Sequence, residues 1–374
     1  RDAQESRGLG DVYKRQLHVC SITNNKTSGI SNVVPEHFIN QSKFVKVALL
    51  NCNNTQIERL KSEKNVFYYN EINKNIDNLP KPFNCPDLVV FHGIYISQYI
   101  SIYKKILKKD IPYIIIPHGS LTKDAQKIKK IKKVFGNLVL FNRFIKKAKA
   151  IQYLSEIEQK MSSDFKNDSF IMGNGIYTPS LKKEKFSENC IKLVYVGRYA
   201  VYHKGLDILL DGCKKAYKNM IINKIEVNLY GAGNEGENHI REMIKKRNLE
   251  RVVRAHGPVF DNQKIAEIIK NDIFIQTSRL EGQPLGIMEA MALGMPVIVS
   301  EGTTFGSIVQ SNECGLVCST PDEVSTILNE LKKESKHFLK FGKNSRKYIE
   351  NNLTWNTIAS KSVKKYKELI KDAR

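Results

Sequence analysis

Short apolar runs alternate with longer amphipathic stretches along this chain. LHVCSI (17–22), FVKVALL (44–50), VFYY (66–69), PDLVVFHG (86–93), PYIIIP (112–117) and AIQYLS (150–155) come first. IKLVYVG (191–197), VNLYG (227–231), RVVRAHG (251–257), DIFIQTS (272–278), PVIVS (296–300) and GLVCS (315–319) follow. Each is four to eight residues long, rich in Val and Ile, and bounded by Gly, Pro or small polar residues, so each predicts a buried strand. Between them, helical spacing predicts helices over 97–109, 262–269 and 321–333, with two more after 334. Strands alternating with helices in this way predict an α/β fold with doubly wound, Rossmann-like sheets.

The break in this rhythm lies at SFIMGNGIYTP (169–179), where Asn174-Gly175 and Pro179 predict a turn. The expected organisation is therefore a first domain over 17–172, a linker over 173–190, and a second domain over 191–354. A last helix over 355–374 completes the chain. Residues 1–16, RDAQESRGLGDVYKRQ, show no apolar period and differ in composition from the Lys-, Asn- and Ile-rich remainder. They are expected to be a non-native tail.

The most informative stretch is SRLEGQPLGIMEAMALGMPVIVS, residues 278–300. A strand ends at Ser278, a turn carries Glu281 and Gly282, and Pro284 opens a helix where its missing N–H costs nothing. Gly294 closes that helix before the next strand. Ligands in doubly wound sheets sit beyond the carboxyl ends of strands, against helix N-termini. Glu281 falls in that position, and Glu289 lies two turns into the helix. Two carboxylates so placed can accept from the hydroxyls of two parts of one ligand, with the amides near Leu285 and Gly286 between them.

Glu281, seven intervening residues and Glu289, set in EGQPLGIMEAMALGMPVI, resemble the signature of group 1 retaining glycosyltransferases with the GT-B fold. The resemblance covers residues 191–366 well and the first domain more loosely. It implies two Rossmann-like domains facing a central cleft, with the last helix crossing back to the first domain. It also implies transfer of a sugar from a nucleotide-diphosphate sugar to a hydroxyl; UDP is expected over GDP as the commoner donor nucleotide, and a glycan or lipid-linked acceptor of the bacterial envelope is expected because it fits the basic first domain. The expected class is a hexosyltransferase-type enzyme. A GT-B sugar-nucleotide epimerase and a non-catalytic nucleotide-sugar-binding protein remain alternatives.

The resemblance distributes roles along the sequence. Arg198 directly follows Gly197, and Lys204-Gly205 starts a helix six residues on. Two cations beside a helix N-terminus suit a diphosphate, and the family uses these positions for that purpose. Gly231 and Gly233 are expected to line the donor side, with the backbone near Val259 facing the base. Glu281 and Gly282, with the amides of Leu285 and Gly286, are expected to hold the sugar, and Glu289 the ribose. His118 is the first domain's expected contribution to the site; His92 and Glu156 are weaker candidates. Gly29 either borders the ligand or forms a plain strand-to-helix turn. No metal and no cofactor are expected, because Arg198 and Lys204 can neutralise the leaving diphosphate.

Composition narrows the setting. The net charge of +22 is uneven, since residues 101–150 carry 14 Lys/Arg against 2 Asp/Glu. Helical spacing over 122–135 places Ala125, Ile128, Ile131 and Val134 inward and lysines outward. Such a face suits an anionic membrane surface, or it is a solvated helix face. Basic charge also draws nucleic acid, but no interleaved aromatics accompany it, so no nucleic-acid partner is expected. No run approaches the ~18 apolar residues of a membrane span. The seven cysteines are scattered without a metal pattern and read as reduced thiols. The expected location is the cytoplasm, peripheral on the inner face of the membrane.

Overall fold

A computed structural model describes residues 15–25, 28–123, 137–187, 189–232 and 236–371. The chain divides into two compact units: Arg1–Gly175 with Trp355–Arg374, and Ile176–Thr354.

The first unit is built on a parallel sheet of strands β1 (Arg15–Cys20), β2 (Lys46–Asn51), β3 (Val66–Tyr68), β4 (Leu88–His92), β5 (Tyr113–Ile116), β6 (Ala150–Tyr153) and β7 (Ser169–Ile171). Their order is β3-β2-β1-β4-β5-β6-β7. Helices α1 (Gly29–Gln41), α2 (Ser97–Lys108), α3 (Asn137–Lys146) and α4 (Glu156–Met161) connect them. The strands read as continuous apolar runs because both faces are covered. On one face Phe91, Tyr99, Tyr103, Tyr113 and Phe144 form an aromatic cluster. On the other, the last helix, Trp355–Lys371, lays Val363, Tyr366, Leu369 and Ile370 against Leu88, Val90, Ile114 and Ile116. That helix is thus structurally part of the first unit.

The second unit carries β8 (Ile191–Val196), β9 (Ile225–Tyr230), β10 (Val253–His256), β11 (Ile273–Gln276), β12 (Val297–Val299) and β13 (Gly315–Val317), ordered β10-β9-β8-β11-β12-β13 and parallel. Helices α5 (Val201–Lys204), α6 (Leu206–Ile222), α7 (Gly236–Lys246), α8 (Asp261–Ile269) and α9 (Leu285–Ala292) precede three more at Gly306–Ser311, Pro321–Glu334 and Phe338–Asn352. Thr320-Pro321-Asp322-Glu323 starts the second of these three as a capping box. In each sheet the strand order reverses beside the first strand, between β1 and β4 and between β8 and β11. Those two points are where such sheets take ligands.

Some expectations need correction. Arg15 and Gln16 are no tail: Arg15 pairs with Lys46 and Gln16 with both Val47 and Leu88 in the sheet, and Arg15 is ion-paired to Asp87. Their polarity hid them, because Gln16 is buried among other polar groups and not in an apolar core. The break expected over 169–179 begins as an edge strand, β7, ahead of the turn expected at Asn174-Gly175. The rest of the 173–190 stretch follows the second unit from Ile176 on. Residues 1–14 lie outside the described residues, as do 124–136, which hold nearly all of the expected basic helix.

Candidate active site

The carboxyl ends of β8 and β11 converge on one carboxylate. β8 ends in Gly197, and Gly231 makes room for it: a side chain at Gly231 would meet the Gly197 carbonyl at 2.1 Å. The chain then turns through Arg198 into α5, whose last residue is Lys204. Gly205 follows in the left-handed region, at φ +60°, which glycine adopts without penalty. It also touches the end of β11 so closely that a side chain there would meet the Thr277 carbonyl at 1.9 Å. Thr277 Oγ1 returns a hydrogen bond to the Gly205 carbonyl at 2.8 Å. The Lys204 turn and the Glu281 loop are thereby fixed against one another.

Glu281 is the hub. Its Oε1 accepts from Lys204 Nζ at 2.5 Å, Gln276 Nε2 at 2.7 Å and Ser278 Oγ at 2.8 Å. Its amide donates to the Gly302 carbonyl at 2.8 Å. Oε2 makes no hydrogen bond among the described residues, so one carboxylate oxygen remains for a ligand hydroxyl. Side-chain exposures of 17% for Lys204 and 12% for Glu281 put the pair below the surface, where an ion pair is screened less than on an open face.

A second pair braces the same loop. Arg279 donates to Asp207 through two parallel bonds of 2.7 Å, to the Tyr202 carbonyl, and stacks over the Tyr202 ring at 4.5 Å. This fork geometry belongs to arginine and not to lysine. Arg279 beside Asp207 holds that carboxyl below its ordinary range against the opposing effect of burial. Neither Arg279 nor Asp207 was among the expected site residues, although Arg279 sits inside the quoted SRLEG stretch and Asp207 three residues after Lys204. Their pairing becomes visible only once the two loops are adjacent.

Helix α9 begins at Leu285 after Pro284, and no side chain caps its N-terminus. The amides of Leu285 and Gly286 are in its first turn. A side chain at Gly286 would meet the Phe274 ring and the Val196 carbonyl at 3.2 Å, closer than side-chain carbons ordinarily stand. Gly282 stands in open space. Glu289, further along α9, is half-buried and paired to Lys264 of α8 at 2.6 Å; Lys264 was another omission. Val259 is buried. Nearby, the His256 and Tyr230 rings stack at 4.5 Å, and burial pushes the His256 imidazole below its ordinary value. Arg198 is exposed, and its guanidinium has no ion-pair partner among the described residues. Gly233 lies outside the described residues.

In the first unit, Gly29 starts α1 under a Ser28 cap, with open space around it. His118 follows β5 at φ +49°, half-buried. Burial, then neighbouring His37, holds its imidazole down at about 3, so it is neutral. Glu156 is exposed and pairs with Lys160. The buried acid of α4 is Glu158, which accepts from the amides of Gly119 at 2.5 Å and Leu154 at 2.7 Å. It thus anchors the turn that carries His118. His92 is wholly buried and joins His118 at 3.1 Å.

Among the described residues, no group of three or more His, Cys, Asp or Glu is placed to hold a metal ion. None of the described helices is long and apolar enough to cross a membrane.

Comparison with known proteins bears on this geometry. The sequence model of the family "Glycosyl transferases group 1" matches residues 178–348. Among curated relatives, Protein CapJ of Staphylococcus aureus is 29% identical over 123 residues, 31% of this chain but only 30% of that protein. The uncharacterized glycosyltransferase MJ1178 of Methanocaldococcus jannaschii is 25% identical over 84% of this chain and 92% of its own. The N,N'-diacetylbacillosaminyl-diphospho-undecaprenol alpha-1,3-N-acetylgalactosaminyltransferase of Campylobacter jejuni is 28% identical over 53% of this chain and 51% of its own. Among solved structures, Anabaena Alr3699/HepE in complex with UDP superimposes with a TM-score of 0.70 at 15% identity, covering 95% of this chain and 100% of that one. With two parallel Rossmann-like sheets, the Glu281 loop set against the Lys204 turn, and these matches, the chain has the GT-B fold, and its residues 178–348 match the group 1 glycosyltransferase family.

Proposed function

We propose that this protein is a retaining glycosyltransferase that moves a hexose from a UDP-sugar to a hydroxyl of a glycan or lipid-linked acceptor in bacterial envelope polysaccharide synthesis. The observation that carries the reading is the Lys204–Glu281 pair at the carboxyl ends of β8 and β11. Lys204 and Arg198 supply positive charge for a diphosphate, and stabilising charge as it develops on a leaving group is a large catalytic effect. The free oxygen of Glu281 accepts from the sugar hydroxyls, and the Gly286 amide donates to them, joined by the Leu285 amide once it leaves the Gln283 carbonyl it meets at 3.1 Å. Glu289, released from Lys264, takes the ribose hydroxyls. His118 acts as a donor to the sugar, a role that rests on the family resemblance.

In the reaction, the bond from the sugar's anomeric carbon to the phosphate oxygen breaks and a bond to the acceptor oxygen forms on the same face. The acceptor's proton passes to the departing phosphate, so no protein nucleophile and no metal enter the scheme. Support for UDP comes from Alr3699/HepE, solved with UDP and also with UDP and glucose. Support for a lipid-linked acceptor comes from the Campylobacter relative, whose name carries diphospho-undecaprenol. The basic stretch 101–150 would hold the enzyme at an anionic membrane surface on the cytoplasmic side.

The test is a thermal-shift panel of UDP- and GDP-sugars, since a ligand bound only by the native state raises the melting temperature. Turnover follows with the best donor, the anomeric configuration of the product being read by NMR. A UDP-sugar shift and a retained anomer are expected. A preference for GDP-sugars, an inverted product, or release of an altered monosaccharide without acceptor overturns the corresponding part of the reading.

A further inference from the structure

Four imidazoles and three side-chain amides of the first unit form one hydrogen-bonded row, and its outer end is His118. Asn174 Oδ1 meets His37 Nε2 at 3.0 Å, and His37 Nδ1 meets Gln41 Nε2 at 3.5 Å. Gln41 Oε1 accepts from Gln16 Nε2 at 2.6 Å, and the same Gln16 nitrogen contacts His18 Nε2. His18 Nδ1 meets His92 Nε2 at 2.7 Å, and His92 Nδ1 meets His118 Nε2 at 3.1 Å. His18, His37, Gln16, Gln41 and His92 are all at most 1% exposed.

A neutral imidazole has one N–H and one lone pair, so the row has a direction. Gln16 Nε2 carries two hydrogens. One goes to Gln41 Oε1, which leaves the other for His18 Nε2. His18 Nε2 is then the acceptor and its proton sits on Nδ1. That proton donates to His92 Nε2, which places the His92 proton on Nδ1 in turn. His92 donates to His118 Nε2, so the proton of His118 stands on Nδ1. At the inner end, Gln41 Nε2 donates to His37 Nδ1, and His37 Nε2–H donates to Asn174 Oδ1. Each hydrogen bond named in the row then has one donor and one acceptor.

We propose that Gln16, through His18 and His92, locks His118 in the Nδ1–H tautomer, so that His118 offers the substrate a hydrogen-bond donor and cannot act as a base. His118 Nε2 is occupied by the proton of His92, and Nδ1, which has no hydrogen-bond partner among the described residues, already bears its own. The row ends inward in amides, which do not take up protons, so it conducts none. The groups facing His118 are the neutral imidazoles of His92 and His37, with the Glu158 carboxylate behind the Gly119 amide. Gln16, His18 and His92 are positioning residues, and the consequence for catalysis rests on the reading that His118 contacts the sugar.

Two measurements test this separately. The first is ring-nitrogen NMR of the full-length protein labelled with [15N]histidine at neutral pH. Nδ1–H is expected for His18, His92 and His118; an Nε2–H tautomer at His118 overturns the inference. The second is a variant series. His118→Asn keeps a side-chain N–H near the Nδ1 position and suits a positive φ, so it is expected to retain transfer within a few-fold. His118→Leu is expected to lose about tenfold or more, the size of one lost hydrogen bond. Gln16→Glu makes its end of the row an acceptor, and the row then reverses, with the Gln41 and Asn174 amides turning over to match it. It is expected to reproduce the His118→Leu loss, to show Nε2–H at His118, and to have no effect in the His118→Asn background. Loss of transfer in Gln16→Glu with His118 still Nδ1–H contradicts the positioning role. Indifference of transfer to His118→Leu, with Nδ1–H observed, overturns the sugar-contact reading and leaves the tautomer lock standing.

Discussion

The two units solve the same problem, polar groups at the switch point of a parallel sheet, in opposite ways. The first unit buries its polar centre completely and keeps it neutral: His18, His37 and His92 are pressed down by burial, to about 3 and about 4 for the first two. The second unit keeps full charges, but in half-buried pairs, Lys204–Glu281, Arg279–Asp207 and Lys264–Glu289. An uncompensated buried charge is costly, and a neutral row avoids that cost while fixing directions. The function proposed for the second unit has its site exchange these partners for a charged ligand, which calls for ions, and pairing keeps such ions tolerable beforehand. Charge in one unit and hydrogen-bond direction in the other are separate resources, and each leaves its own experimental trace.

The largest expected effect separates the units by pH. Unfolded histidine takes up a proton near 6.5, whereas folded His18 and His37 resist until about 3 and about 4. As pH falls below 6.5 the unfolded chain binds protons that the folded one does not, so stability drops. Each group contributes a slope of about 1.4 kcal/mol per pH unit, continuing down to its folded value. Hydrogen exchange resolved by segment is expected to show β1 and β4 losing protection between pH 6.5 and 5 well before β8 and β11. Equal loss in both units would erase the contrast.

Next comes Glu281→Ala, which removes the hub of the charged site. Transfer is expected to fall about a hundred- to a thousandfold, as for loss of a preorganised electrostatic group, with an unchanged circular-dichroism spectrum. Arg279→Lys is milder. It keeps the charge but breaks the two-pronged bond to Asp207, and about tenfold loss of transfer with about 1 kcal/mol of stability is expected. Lys264→Met should be smallest. It frees Glu289 from a half-exposed pair worth about 1 kcal/mol or less, so a few-fold change in donor KM at unchanged kcat is expected, checked by steady-state kinetics across salt concentrations.

Legibility in the sequence followed the same division. The strands were readable because parallel sheets are apolar throughout, as in YIII of β5 and IFIQ of β11. That Lys204 and Glu281 come together was expected from the family resemblance, and the structure pairs them. The other partners were not readable. Nothing in the sequence joins Lys264 to Glu289 or Arg279 to Asp207, since each pair forms between loops or helices far apart along the chain. The polar strand positions were the poorest of all. Gln16 and His18 look like surface residues by type, and only the neighbouring β4 and α1 turn them into the centre of the first unit. Glu158 in place of Glu156 is a subtler case: helix spacing alone decides which of two nearby acids points at the Gly119 amide.

The most direct check on the central claim is calorimetric titration of UDP and its sugar conjugates into the wild-type protein, Lys204→Ala and Glu281→Ala. If both side chains face one donor, Lys204→Ala weakens UDP itself, whereas Glu281→Ala weakens only the additional affinity conferred by the sugar. Unaltered binding of every ligand to both variants would contradict a donor site at the ends of β8 and β11.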